Sequence, residues 1–215
     1  MPGPQHFSSI RLHAILDVDV AERAGWEVAR LAKAFLDGGA RLIQVRAKHL
    51  GSAAFLQHVE RLVHTADPYG AIIIVNDRAD VALLAGAAGA HVGQEDVPPA
   101  ATRRLLGPNA VIGYSTHTSA QIEAAVHEPI TYIAIGPVFG TSTKATGYEP
   151  VGLERVTEAA RIAAGRPVVA IGGITLATAP HVIAAGASSV AVIGDLLTND
   201  DPAGRVAAFC RVLSL

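Results

Sequence analysis

The residues of this chain that could do chemistry sit just past short apolar runs. Gln44, Arg46 and Lys48 are spaced by two, and residues two apart in a strand share a face. That puts two cations and an amide on one side, with Val45 and Ala47 on the other. Such a row cannot lie in an apolar core without partners. A solvated strand end with a salt bridge would accommodate it. An anion grip would also explain it, because Arg and Lys bind phosphate oxygens well.

Carboxylates fall at two comparable places. Ile72-Ile73-Ile74-Val75 runs into Asn76-Asp77-Arg78, and Gly93-Gln94-Glu95-Asp96 follows the next apolar run. Asn or Asp at the start of a helix is a common cap, which would explain one of Asn76 and Asp77 but not both. Asp77 and Asp96 at the ends of neighbouring strands would repel unless a proton or cation intervened. A hard cation such as Mg2+, held by a pair of carboxylates and substrate phosphate oxygens, answers that problem.

Further along, Gly113-Tyr114-Ser115-Thr116-His117-Thr118 offers small hydroxyls and a histidine, although Thr118 could equally cap the next helix. Thr141-Ser142-Thr143-Lys144 opens a connection of about fifteen residues, a length that in compact domains usually marks function or mobility. Gly172-Gly173 and Ile193-Gly194 let backbone N–H groups approach a ligand closely.

The elements that must position these residues alternate. Strands are predicted over Arg11–Val18, Leu42–Ala47, Ala71–Asn76, Ala90–Gly93, Val111–Ser115, Tyr132–Val138, Pro167–Gly172 and Ser189–Ile193. They are rich in Val and Ile and almost free of charge at their centres, as in parallel strands covered on both faces. Between them lie segments of helical spacing stopped by glycines, such as Trp26 to Leu36 before Gly38-Gly39. Eight such units in 215 residues predict an α/β fold, a TIM (β/α)8 barrel forming a single domain over 1–215, with 1–10 as an N-terminal tail. An open doubly wound sheet has the same local pattern, but Asp17-Val18-Asp19-Val20 stands where a dinucleotide-binding Gly-x-Gly-x-x-Gly would follow the first strand. In barrels of this kind chemistry gathers where the strands end, and phosphate often binds after the seventh and eighth.

Composition narrows the function classes. A net charge of −2 without a basic run points away from nucleic acid. No apolar stretch is long enough to cross a bilayer, and no secretory leader is visible. The single cysteine, Cys210, fits a reducing compartment, so the expectation is a cytoplasmic protein. The nine histidines are scattered without zinc-ligand spacing, and most read as surface or core residues.

Six segments, in order, resemble the thiamine phosphate synthase family. They are Gln44-Val45-Arg46-Ala47-Lys48, Val75 to Ala82, Gly89 to Asp96, Ile112 to His117, Gly136 to Lys144 and Ala170 to Ile174, and the likeness runs from about His13 to Leu197. The resemblance implies an enzyme that joins a pyrimidine pyrophosphate to a thiazole phosphate. Gln44, Arg46, Lys48, Asn76, Ser115 and Lys144 then correspond to residues that hold the pyrimidine pyrophosphate, with Arg46, Lys48, Ser115 and Lys144 serving the reaction. Asp77 and Asp96 correspond to Mg2+ ligands. Thr141, Ser142 and Thr143 would contact the thiazole phosphate, and Gly173, Ile193 and Gly194 would cradle it. The implied mechanism is dissociative. Pyrophosphate leaves the pyrimidine methylene and the thiazole nitrogen attacks the cation, with no general base required. Two positions depart from the family pattern: Gly194 replaces a common Ser, and Ala47 a more usual acidic residue.

Three rivals share parts of this pattern. A thiazole tautomerase-like enzyme of the same superfamily could use His117, but it has no pyrophosphate to bind and no need of Lys48, Asp77 and Asp96. A non-catalytic sensor of thiamine precursors could dispense with the carboxylate pair. Another phosphate-handling barrel enzyme would need a base matched to a carbon acid, which is not readable here. The expected partners are therefore small-molecule substrates, and the sequence leaves a homo-oligomer open.

Overall fold

The computed structural model describes residue 7, residues 9–141 and residues 147–214. Eight parallel strands close on themselves in the order of the chain, each pairing with the next and β8 with β1. They are β1 (Leu12–Asp17), β2 (Leu42–Arg46), β3 (Ile72–Asn76), β4 (Gly89–Val92), β5 (Val111–Thr116), β6 (Tyr132–Ile135), β7 (Val168–Ile171) and β8 (Ser189–Val192). The helices around them are α1 (Val18–Arg23), α2 (Val28–Asp37), α3 (Ser52–Ala66), α4 (Ala79–Leu84), α5 (Pro99–Leu106), α6 (Ser119–Ala125), α7 (Gly152–Ile162), α8 (Ala179–Ala184) and α9 (Pro202–Leu213). The closed (β/α)8 barrel expected from the alternation is the fold, and the open doubly wound sheet is not.

Strand limits fall within one to three residues of the expected ones. The largest difference is β6, which stops at Ile135 rather than Val138. Pro137 follows, and proline has no N–H to give a ladder. The chain there instead docks on the β7 loop, with Val138 N donating to Ile171 O and Phe139 N to Gly172 O.

Period two along each strand separates two cores. One face packs against the helices, for example Ile43, Val45, Ile73 and Val75 with Phe35, Phe55 and Val59. The other fills the barrel interior with Ile15, Leu42, Ile72, Ile74, Val111, Tyr132, Val169 and Ala191. Phe7, within the stretch expected to be a tail, is buried and stacks on Tyr132 at 4.7 Å between ring centroids.

The interior rows change character along the strand. Leu42 leads to Gln44 and Arg46, Ile72 and Ile74 lead to Asn76, and Val111 leads through Gly113 to Ser115. The apolar start anchors the strand in the floor, and the polar end emerges at the mouth. This is how one alternating pattern both builds the core and aims the site.

Candidate active site

A cavity of about 940 Å³ opens at the C-terminal ends of the strands. Gln44, Arg46, Lys48, Asn76, Asp77, Asp96 and Ser115 all line it, as do Thr141, Gly173, Ile193 and Gly194. Val45 and Ala47 do not line it, in keeping with the shared face of Gln44, Arg46 and Lys48. Ser142, Thr143 and Lys144 lie outside the described residues.

Both cations of the β2 row have carboxylate partners. Arg46 donates to the buried Asp17 at the end of β1, and Lys48 donates to Asp77 at the end of β3. Asp17 also caps α1, accepting from Val20 N at 3.0 Å. It therefore holds the start of α1 and the guanidinium of Arg46 with one carboxylate. Asp17 had no place among the expected site residues. The available signal was its position, a carboxylate ending the interior row His13–Ile15–Asp17.

Neither Asn76 nor Asp77 caps a helix. The cap position of α4 is Arg78, and no side chain serves it. Asn76 instead accepts from Gln44 Nε2 at 3.0 Å. Asp77 sits at φ 63°, a left-handed conformation that costs a non-glycine residue about 1 kcal/mol or more. That strain turns its carboxylate toward Lys48 and Asp96. The capping alternative does hold for Thr118, which accepts from Gln121 N at 3.2 Å in a capping box that starts α6.

The two carboxyls differ in charge preference. Burial pushes Asp77 up, but the hydrogen bonds from Lys48 and Asp96 outweigh it and hold the group below the usual carboxylate range. Asp96 moves the other way. Burial raises it, the Gly93 N–H at 2.7 Å opposes that, and the neighbouring Asp77 charge raises it further. Without a cation, this is a pair in which Asp96 is the readier to hold a proton.

On the opposite wall the glycine pair is needed for packing. Gly172 and Gly173 have φ of 105° and 62°, and a Cβ on Gly173 would lie 2.4 Å from the carbonyl oxygen of Gly140. The N–H groups of Gly173 and Ile174 make no hydrogen bond among the described residues, and both residues line the cavity. After β8, Ile193 precedes a 3-10 turn over Gly194–Leu197. There Asp195 is engaged by Arg205 at 2.7 Å and by Leu176 N at 2.9 Å, which ties this turn to the β7 loop.

The cavity floor is polar as well. His91 on β4 bonds Tyr132 through Nδ1 at 2.9 Å and Ser115 through Nε2 at 2.8 Å. His13 on β1 is buried, and neither ring nitrogen has a hydrogen-bond partner among the described residues. Burial first, and then the nearby His91 ring, push its pKa down to about 3. These floor residues were not singled out in the sequence. His117, the residue a tautomerase would use, bonds Gly136 O through Nδ1 at 2.6 Å and stacks on Tyr148.

No helix among the described residues is long and apolar enough to cross a membrane. Likewise no group of three or more His, Cys, Asp or Glu side chains suited to a metal occurs among them. The carboxylate pair alone could contribute to such a site, with water and ligand oxygens filling the rest of the shell.

Known proteins share both the sequence and the barrel. The family model for thiamine monophosphate synthase matches residues 15–196. A thiamine-phosphate synthase of Koribacter versatilis is 40% identical over 205 residues, covering 94% of this chain and 95% of its own. One from Mycobacterium sp. strain KMS is 44% identical over 191 residues, covering 85% and 84%. A longer relative from Synechococcus sp. WH7803, also named thiamine-phosphate synthase, is 43% identical, and this chain spans 56% of its length. Among solved structures, thiamine phosphate pyrophosphorylase from Pyrococcus furiosus superposes with a TM-score of 0.86 at 28% identity, covering 96% of each chain. With most of its length matched and its barrel reproduced, the chain belongs to the thiamine monophosphate synthase family.

Proposed function

We propose that this barrel is a thiamine phosphate synthase, joining a pyrimidine pyrophosphate to a thiazole phosphate and releasing pyrophosphate. One observation carries the reading: Gln44, Arg46, Lys48, Asn76, Asp77, Asp96 and Ser115 converge on a single cavity. The sensor and tautomerase readings leave the Lys48–Asp77–Asp96 cluster without a task.

Gln44 and Asn76 suit an aminopyrimidine. Gln44 spends its amide N–H on Asn76, which leaves its oxygen to accept and the Asn76 amide to donate. An amino group beside a ring nitrogen presents the complementary pair. Arg46 and Lys48 would hold the diphosphate, Arg46 kept in place by Asp17. Thr141, Ser142, Thr143 and Lys144 would close on the phosphates, and Gly173, Ile193 and Gly194 would meet the thiazole phosphate with backbone N–H groups.

The donor set fits Mg2+. Among the described residues the cavity is lined by two Lys or Arg side chains and four Asp or Glu side chains, an excess of negative charge that disfavours a bare polyanion. Asp77 and Asp96 would hold the ion, relieving their mutual repulsion. When bound, Mg2+ supplies positive charge to the leaving diphosphate.

The chemistry asks little covalent work of the chain. The carbon–oxygen bond of the pyrimidine methylene breaks and its electron pair leaves with pyrophosphate. The thiazole nitrogen then gives its lone pair to the methylene carbon. Arg46 and Lys48 oppose the negative charge growing on the leaving oxygen, and the cavity walls align the nitrogen. No proton need be removed from that nitrogen, so no general base is required. The activity is tested by incubating the protein with both precursors and Mg2+ and following pyrophosphate release. Release no faster than in a protein-free control overturns the proposal.

A further inference from the structure

We infer that Tyr132 is a positioning residue: through His91 it fixes the direction of the hydrogen bonds so that Ser115 presents its O–H, as a donor, to the ligand. The inference rests on the proposed function only for the identity of that ligand.

The chain of contacts runs across three neighbouring strands. Tyr132 on β6 is wholly buried, with its ring stacked between Phe7 and His91. Its hydroxyl lies 2.9 Å from His91 Nδ1 and makes no other hydrogen bond among the described residues. Burial raises the phenol well above its ordinary value, so it keeps its proton. A buried O–H without an acceptor strands a donor, whereas a phenol oxygen tolerates an idle lone pair. The hydroxyl therefore donates, and Nδ1 must be the bare nitrogen that accepts.

A neutral imidazole with a bare Nδ1 carries its proton on Nε2. That nitrogen is 2.8 Å from Ser115 Oγ and so donates to it. With its oxygen accepting from His91, Ser115 has its own proton left for another partner. Its side chain makes no further hydrogen bond among the described residues, and it lines the cavity. The result is a donor aimed at an acceptor on the ligand, a ring nitrogen or a diphosphate oxygen of the pyrimidine substrate. A ligand group with an N–H at that place would meet a second donor and be disfavoured.

A separate feature points to the same contact. Gly113 faces the gap where Tyr132 and His91 meet. A Cβ there would fall 2.0 Å from Tyr132 Cζ, 2.3 Å from its hydroxyl oxygen and 2.4 Å from His91 Nδ1. The missing side chain at position 113 is the space in which the phenol reaches the imidazole.

Long-range 1H–15N spectra of the ligand-free protein, labelled with 15N-histidine, test the direction. The His91 signals are assigned by their loss in His91→Gln. The expected spectrum has a pyridine-type Nδ1 and a pyrrole-type Nε2. Tyr132→Phe should lose that tautomer and raise KM for the pyrimidine pyrophosphate about three- to tenfold, with KM for the thiazole phosphate unchanged. A proton on Nδ1 in the unaltered protein overturns the inference, and that spectrum decides even if Tyr132→Phe fails to fold. An unchanged tautomer in Tyr132→Phe, or equal shifts in both KM values, overturns it too. The spectrum needs no turnover, so a protein that makes no thiamine phosphate would refute the functional proposal and leave the hydrogen-bond direction to be judged on its own.

Discussion

Asp77, just past the end of β3, and Asp96, past the end of β4, line one cavity and shift each other's ionisation, with Lys48 donating to the first and the Gly93 N–H to the second. The backbone of Asp77 is held in the left-handed region to make this meeting. Two carboxyls that raise each other's cost of ionisation beside one lysine form a site that is incomplete without a proton or a cation.

Mg2+ should therefore stabilise the folded protein. At a concentration about a hundredfold above its dissociation constant the gain is about 2.7 kcal/mol, or a rise in Tm of roughly 5–10 °C. Asp77→Asn and Asp96→Asn should each lose most of that gain, as read by thermal melts with and without the ion. Melts in which either variant gains from Mg2+ as much as the unaltered protein does would separate the pair from the metal.

The same pair sets a pH dependence. Asp96 titrates above its ordinary range, so lowering the pH protonates it in the folded state before an exposed aspartate would take up a proton. Affinity for the cation is thus full when Asp96 is ionised and falls as pH drops through that raised value. Calorimetric titration with Mg2+ from about pH 7 to about pH 4.5 should show the decline. An affinity constant across that range would contradict the ionisation order.

Asp17→Ala should unfold the protein more readily and also impair the site. It leaves Arg46, itself largely buried, without its carboxylate and removes the cap of α1. Loss of one partner from a buried pair costs about 3–5 kcal/mol. Arg46→Ala should instead lower turnover on the order of 10²–10³-fold with a smaller loss of stability. Denaturant unfolding and initial rates measured on both variants distinguish the two roles. Near-normal turnover by Arg46→Ala would remove it from the diphosphate grip.

His13 gives a stability signature. Its folded pKa is about 3, below the ordinary histidine value of 6.5. The folded state therefore binds fewer protons than the unfolded chain between those values. Stability is fully present above about pH 6.5 and falls by up to about 1.4 kcal/mol per pH unit below it. Comparing His13→Gln with the parent by denaturant unfolding at several pH values isolates the effect, since the variant should have a flatter profile. Parallel profiles would mean that His13 is not buried as a neutral ring.

Much of the site could be read before the fold was known. The spacing of Gln44, Arg46 and Lys48 placed them on one face, and the alternation of apolar runs with helical segments placed that face at a barrel mouth. Asp77 and Asp96 could be paired because they end consecutive strands. The floor was not legible. His13, His91 and Tyr132 sit inside short apolar strands, where a polar residue looks like any satisfied core group, and only closure of the barrel brings three strands' interior rows together. Asp17 was hidden for a related reason: its partner, Arg46, is 29 residues away. The glycines of Gly172-Gly173 were legible as backbone freedom, but the close approach of the β6 loop that requires them depends on tertiary packing.

The central claim is that this mouth releases a diphosphate with the help of a metal held by Asp77 and Asp96. The direct measurement is mass analysis of a reaction containing the protein, both precursors and Mg2+, beside the same reaction in excess chelator. Thiamine phosphate and pyrophosphate in equal amounts, formed only where the ion is free, are the predicted result. Product formed at the same rate in the chelator would contradict the account.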